Sequence, residues 1–273
     1  MFLIRLFLIA WCCISASIAT AHEFWIEAER YQVPEGETLV ARFKNGEIFE
    51  GVSLGYFDRS SARFEIVSNG KTIPVTPRLG DNPALDVPAP GAGLAVVVHE
   101  TTPSFVTYKS WEKFDKFARH KAFGDWRSQH DSLGYSAPPF KERYTRHAKA
   151  LIAVDDGSGQ DIWTGLVTEF VALTNPYAAN FDNVMRVSVH YGEFLRKNAQ
   201  VEVFDRAPDG QVTVTLYRTN DKGIAAVPVT PGHDYLFDAV VLEPISPADP
   251  LVFEKATVWD THWAALTFSV PAR

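Results

Sequence analysis

Apolar and polar positions alternate in short runs along most of the chain. Between residues 25 and 98, Thr38-Leu39-Val40-Ala41-Arg42-Phe43, Arg63-Phe64-Glu65-Ile66-Val67 and Leu94-Ala95-Val96-Val97-Val98 are β-branched or aromatic runs of strand length. Turn signals separate them: Pro34-Glu35-Gly36, Ser68-Asn69-Gly70 and Gly80-Asp81-Asn82-Pro83. Strands this short with turns this frequent predict an antiparallel sandwich. The period then changes. Over residues 110–130, Trp111, Phe114, Phe117 and Phe123 recur at helical spacing among Lys113, Lys116, Arg119 and Lys121, which predicts one amphipathic helix or two short ones broken near Gly124. Residues 132–139 read as loop, and residues 148–154 return as strand.

A second β unit follows Asp155-Asp156-Gly157-Ser158-Gly159, the most linker-like stretch of the chain. Val187/Val189/Tyr191, Val201/Val203 and Val212/Val214/Leu216 alternate with polar residues, with hairpin turns at Pro208-Asp209-Gly210 and Asn220-Asp221-Lys222-Gly223. Residues 263–270 form the closing strand. The expected class is all-β: two β-sandwich, immunoglobulin-like domains, residues 22–165 and 166–273, with a short helical insertion at about 110–130 in the first.

The first 21 residues stand apart. Arg5, an apolar run over residues 6–14 and the small-residue ending Ala19-Thr20-Ala21 read as a secretory signal peptide. A periplasmic location is the expectation, with no membrane span after cleavage. Both cysteines, Cys12 and Cys13, fall inside this leader, so export exposes no disulfide chemistry. Trp11 stands where a lipid-attachment signal needs a small residue. The formal net charge of −7 argues against nucleic acid and anionic lipid as partners and favours a cation.

Cleavage after Ala21 would make His22 the first residue. Its α-amine and ring Nδ1 would then close a six-membered chelate, and a further imidazole would complete a nitrogen-rich set suited to Cu(II) or Ni(II). Cleavage after Ala19 would leave Thr20-Ala21-His22, in which two backbone amides join the amine and the imidazole on a square-planar ion. Among the eight histidines, His99 at a strand end, His120 beside the packing face of the helix and His130 with its neighbour Asp131 are the candidate further ligands. Each also has a plain structural reading: an exposed strand end, a buried histidine bonded to a carbonyl, and a chance neighbour. His190 lies on the opposite face of its strand, His233 in a turn and His147 among solvated arginines. His262 is an outside candidate. The chain has no Gly-x-Ser-x-Gly elbow, no phosphate-binding loop, no His-Glu-x-x-His pair and, after cleavage, no cysteine nucleophile.

Several segments carry a resemblance: His22-Glu23-Phe24-Trp25-Ile26-Glu27, Arg143-Tyr144-Thr145-Arg146 with Lys149, Thr219-Asn220-Asp221-Lys222-Gly223 ahead of Pro231-Gly232, and Trp263-Ala264-Ala265-Leu266-Thr267-Phe268. Together they resemble the family called domain of unknown function 4198 over nearly the whole mature chain. The resemblance implies a periplasmic component associated with nickel or cobalt uptake, with His22 as the ligand it carries over. The expected function is therefore capture of a divalent transition metal (Ni, Co or Cu) at His22 with His99, His120 or His130, and delivery to a membrane uptake system without catalysis. Two other readings stay open: a β-sandwich interaction module in which His22 is incidental, and a copper enzyme built on the amino-terminal chelate.

Overall fold

In a computed structural model the described residues are 22–272, so the leader expected over residues 1–21 lies outside them. Strands account for 51% of the structure and helices for 10%, which makes the fold all-β with a short helical insertion. The chain runs through β1 (Glu23–Ala28), β2 (Gln32–Val33), β3 (Thr38–Glu47), β4 (Glu50–Leu54), β5 (Ser61–Ser68), β6 (Lys71–Pro74), β7 (Leu85–Pro88), β8 (Gly93–Thr101) and β9 (Ser104–Tyr108). Helices α1 (Trp111–His120) and α2 (Trp126–Ser132) precede the long β10 (Phe140–Val154). The second half holds β11 (Thr168–Ala172), β12 (Val184–Tyr191), β13 (Phe194–Leu195), β14 (Gln200–Arg206), β15 (Val212–Arg218), β16 (Ile224–Pro228), β17 (Asp234–Pro244), α3 (Pro250–Lys255) and β18 (Thr257–Ser269).

These strands form three layers. A central ten-stranded sheet has the order β15-β14-β17-β18-β10-β8-β5-β6, with β2 and β9 also paired to β10. On one face lies the sheet of β1, β3, β4 and β7; on the other, that of β11, β12, β13 and β16. The central sheet draws strands from both halves of the sequence, and the seam is β10 running parallel to β18 from Lys141 beside Thr257 to Ala150 beside Thr267. No hairpin can join parallel neighbours. Here the crossover contains everything from β11 to α3.

A sheet buried on both faces must be apolar at consecutive positions, and period-2 geometry sends alternate side chains to different cores. Ala95 and Val97 of β8 pack with Phe24, Ile26 and Phe43, while Val96 and Val98 pack with Phe170, Met185 and Val187. Ile152 and Leu151 of β10 divide in the same way, each fully buried. Truncating either to Ala would cost about 2–5 kcal/mol. The alternation predicted for Val212/Val214/Leu216 has a different outcome, because β15 is the outer strand of the central sheet and leaves Val214 and Leu216 exposed.

The helical segment forms two helices. Gly124 takes a positive φ of 70° between them, and the Asp125 side chain accepts a hydrogen bond from Ser128 N at 3.2 Å to start α2. Phe114, Phe117 and Ala118 share the buried face of α1. They seat it against one end of the central sheet, with Phe117 stacked over Trp263 at 5.7 Å and Phe114 over Trp259 at 6.0 Å. This packing sets the last turn of α1 beside the start of β1. No helix among the described residues is long and apolar enough to cross a membrane.

Candidate metal centre

Where α1 ends against the sheet, a cleft of about 490 Å³ opens between β1, β9, α1 and β14. His22, Glu23, His120, Arg146, Glu202 and Trp263 are among its walls. Glu202 and Asp238 are paired neighbours on β14 and β17 and share a face with Phe204 and Leu236. Strand alternation thus turns two carboxylates inward at the spot that the end of α1 covers. Between them sits Lys121, buried, whose ammonium donates to Glu202 Oε2 at 2.7 Å, Asp238 Oδ2 at 2.9 Å and Glu23 Oε1 at 3.1 Å.

Three buried acids around one ammonium carry surplus negative charge, and the proton affinities register it. Burial raises the Glu23 carboxyl to about 7 despite Lys121 beside it. Burial also raises Asp238. For Glu202, burial pushes upward, but the hydrogen bond from His120 and the charge of Lys121 hold the carboxyl below its usual range. Burial works against the charged form of Lys121, and Asp238, Glu23 and Glu202 more than reverse it. His120 is held above its ordinary value by its hydrogen bond to Glu202.

His120 Nε2 lies 3.1 Å from Glu202 Oε1. One donor atom each from Glu23, His120 and Glu202 fall within 4.8 Å of one another, the one such group of three among the described residues. One imidazole and two carboxylates suit a divalent ion in donor type and in charge. Lys121 shares those carboxylates, so an entering ion would compete with its ammonium for both.

The structure brings His22 and His120 to the same cleft. The His22 side chain is about half exposed, with Nε2 3.6 Å from Glu47 Oε1. His99 lines an adjoining cleft of about 250 Å³ that His22 and Arg146 also border. Far from an exposed strand end, His99 is 2% exposed among the rings of Phe24, Phe43 and Phe64, with Nε2 3.0 Å from Ser61 Oγ. Burial pulls its imidazole down to about 3. His130 is not brought to the cleft. Trp259 Nε1 donates to its Nδ1 at 3.2 Å and its Nε2 meets Ser136 O at 3.1 Å, so both ring nitrogens are engaged inside an aromatic core.

His147 is the opposite of a solvated neighbour. It is 1% exposed on the other face of the central sheet, with Nδ1 3.1 Å from Trp263 O and Nε2 3.5 Å from Glu100. His262 lies near it, ring centroids 5.9 Å apart. His190 meets Ser188 Oγ at 3.0 Å, and His233 Nδ1 meets Asp205 at 2.6 Å. The sequence reading passed over Glu23, Lys121, Arg146 and Glu202. Glu202 gave no signal of its own, because a Glu between Val201 and Val203 reads as the solvent-facing position of an alternating strand.

A sequence profile described as Domain of unknown function (DUF4198) matches residues 19–243. The chain belongs to that family. No curated protein matches it. Among solved structures, a tetra-tandem repeat from the extending region of a large adhesion protein is 12% identical, with a TM-score of 0.22. The match takes in 91% of this chain and 50% of the repeat, so the chain spans half the length of that relative. The D0-D1 domain of intimin is 12% identical over 89% of this chain and 97% of its own, with a TM-score of 0.19. Escherichia coli alpha-2-macroglobulin activated by porcine elastase is 10% identical over 92% of this chain and 20% of its own, with a TM-score of 0.23.

Proposed function

We propose that this DUF4198 protein is a periplasmic binding protein for a divalent transition metal of the nickel, cobalt or copper type, and an accessory to a membrane uptake system. The observation that carries this reading is the clustering of Glu23, His120 and Glu202 donor atoms within 4.8 Å on a cleft that His22 also lines. A chain starting at His22 would add an amine and an imidazole to that rim, which moves the donor set from oxygen-rich toward the nitrogen-rich composition that Ni(II) and Cu(II) favour. His99 stands back from this group, with an imidazole that stays neutral throughout the working pH range. In this reading the protein performs no chemistry on the ion. It captures and hands over.

Calorimetric titration of the exported protein with NiCl2, CoCl2 and CuCl2 tests the proposal. His22→Ala and His120→Ala are expected to weaken binding at least about tenfold, roughly 1.4 kcal/mol each. His190→Ala and His233→Ala, whose rings are engaged elsewhere, are expected to leave it unchanged. Equal affinity in all five proteins would overturn the assignment.

A further inference from the structure

The same cleft contains a charge that a metal ion does not explain. Arg146 lies on β10, and its alternation with Ala148, Ala150 and Ile152 places it on the face of the central sheet that carries Glu202. Its Nη1 is sealed from solvent and has no hydrogen-bond partner. Among the described residues no carboxylate lies within ion-pair distance of its guanidinium. What it has instead is aromatic surface: its Cζ lies 4.5 Å from the centre of the Trp263 ring and 5.2 Å from that of Tyr144. A buried donor left unpaired costs about 1–3 kcal/mol, and more when charged. Burial accordingly draws the guanidinium below its ordinary value.

Nearby acids do not supply the missing partner. Glu23, Glu202 and Asp238 are turned to Lys121. Glu142, the remaining acid close by on β10, accepts from Tyr108 Oη at 2.8 Å and from Thr261 Oγ1, and burial raises it to about 7. On the opposite wall α1 presents Lys113 and Lys116, which also have no ion-pair partner among the described residues. Three unpaired cations therefore border one cleft. Between them the lining mixes the apolar side chains Ile48, Val106, Phe117, Val214 and Trp263 with the carboxylates of Glu23, Glu47, Glu142 and Glu202. The volume of about 490 Å³ is many times the roughly 30 Å³ share of a water molecule and falls within the range of small-molecule sites.

We propose that the cleft binds a small organic carboxylate with a flat apolar body, whose carboxylate is held by Arg146 and whose body lies along the exposed side chains of Ile48, Val106 and Val214. A guanidinium presents paired N–H donors that match a carboxylate edge-on, a fit an ammonium lacks. Lys113 and Lys116 add steering at the rim. This goes beyond the metal reading and does not depend on it. The carboxylate site is built on Arg146, whereas the cation site is built on Glu23, His120 and Glu202.

Calorimetry on the exported protein with benzoate, indole-3-acetate, pyridine-2-carboxylate and acetate, each with and without one equivalent of NiCl2, is the experiment. At least one ring-bearing acid is expected to bind, with acetate at least about tenfold weaker because it leaves the apolar walls uncovered. Arg146→Met and Arg146→Lys are both expected to weaken the ring-bearing acid by about tenfold or more, while the affinity of Arg146→Lys, which keeps the charge, for NiCl2 alone stays within about twofold. The proposal is overturned if no ring-bearing acid binds the wild type below about 1 mM, or if Arg146→Met binds it equally well. Nickel binding without carboxylate binding would sink this inference and leave the metal centre standing. Carboxylate binding without nickel binding would do the reverse.

Discussion

Lys121 Nζ lies 2.7 Å from Glu202 Oε2, a contact that ties the end of α1 to a strand 81 residues away. The same ammonium reaches Glu23 and Asp238, so one buried charge joins β1, the insertion and two strands of the central sheet. Whatever binds at this corner binds where three remote parts of the chain are held together.

Removing that ammonium leaves the buried acids without their counter-ion, and Lys121→Met is expected to cost about 3–5 kcal/mol. Urea denaturation measures it. If the surrounding donors hold a metal, NiCl2 will raise the melting temperature of Lys121→Met by more than that of the wild type, because the ion takes over the charge of the lost lysine. An equal rise in the two proteins would count against a cation at this place.

The contribution of the His22 amine can be isolated without altering any side chain. A cytosolically expressed form that keeps one Met ahead of His22 moves the amine by a residue, and its nickel affinity is expected to fall relative to the exported form. Affinity of the exported form should also drop as the pH goes from about 7.5 to 6, because His120, held above its ordinary value by its hydrogen bond to Glu202, then takes up a proton that competes with the ion. Equal affinities for the two forms would exclude the amine as a ligand.

His99 predicts an acid limb of instability. Its folded-state value of about 3 lies below the ordinary 6.5, so the unfolded chain binds the extra proton first. Stability is complete above about pH 6.5 and declines as the pH falls toward 3, with about 2 kcal/mol lost at pH 5. His99→Phe, which keeps an aromatic ring among Phe24, Phe43 and Phe64, should flatten this limb in denaturant titrations at pH 7 and pH 5. An unchanged slope would mean that another group titrates.

His130 separates a structural histidine from a ligand. His130→Phe leaves Trp259 Nε1 buried without an acceptor, for an expected cost of about 1–3 kcal/mol. Its nickel affinity should match the wild type once the variant is folded. A weaker affinity, with stability unchanged, would return His130 to the list of ligands.

Many of the strands and turns and the break in the helical insertion were legible along the chain, because they are written in near neighbours, whereas β9, the first half of β10 and α3 were not. Asn69-Gly70 supplies the positive φ values of 50° and 71° that the β5–β6 hairpin requires, and Gly124 with Asp125 stops one helix and starts the next. The sequence also marked His22 and His120, which meet at one cleft. Which faces are interior, however, depends on how many layers cover a strand. His147 read as solvated because Arg143 and Arg146 precede it, outside the strand expected over residues 148–154. The tertiary structure covers both faces of the central sheet, which seals His147 at 1% exposure and shuts off Arg146 Nη1. The parallel seam of β10 with β18 joins residues more than a hundred positions apart, and no local pattern encodes it. The cluster of Glu23, Lys121, Glu202 and Asp238 was equally out of reach, since a buried charge is tolerated only beside partners that folding brings from elsewhere in the chain.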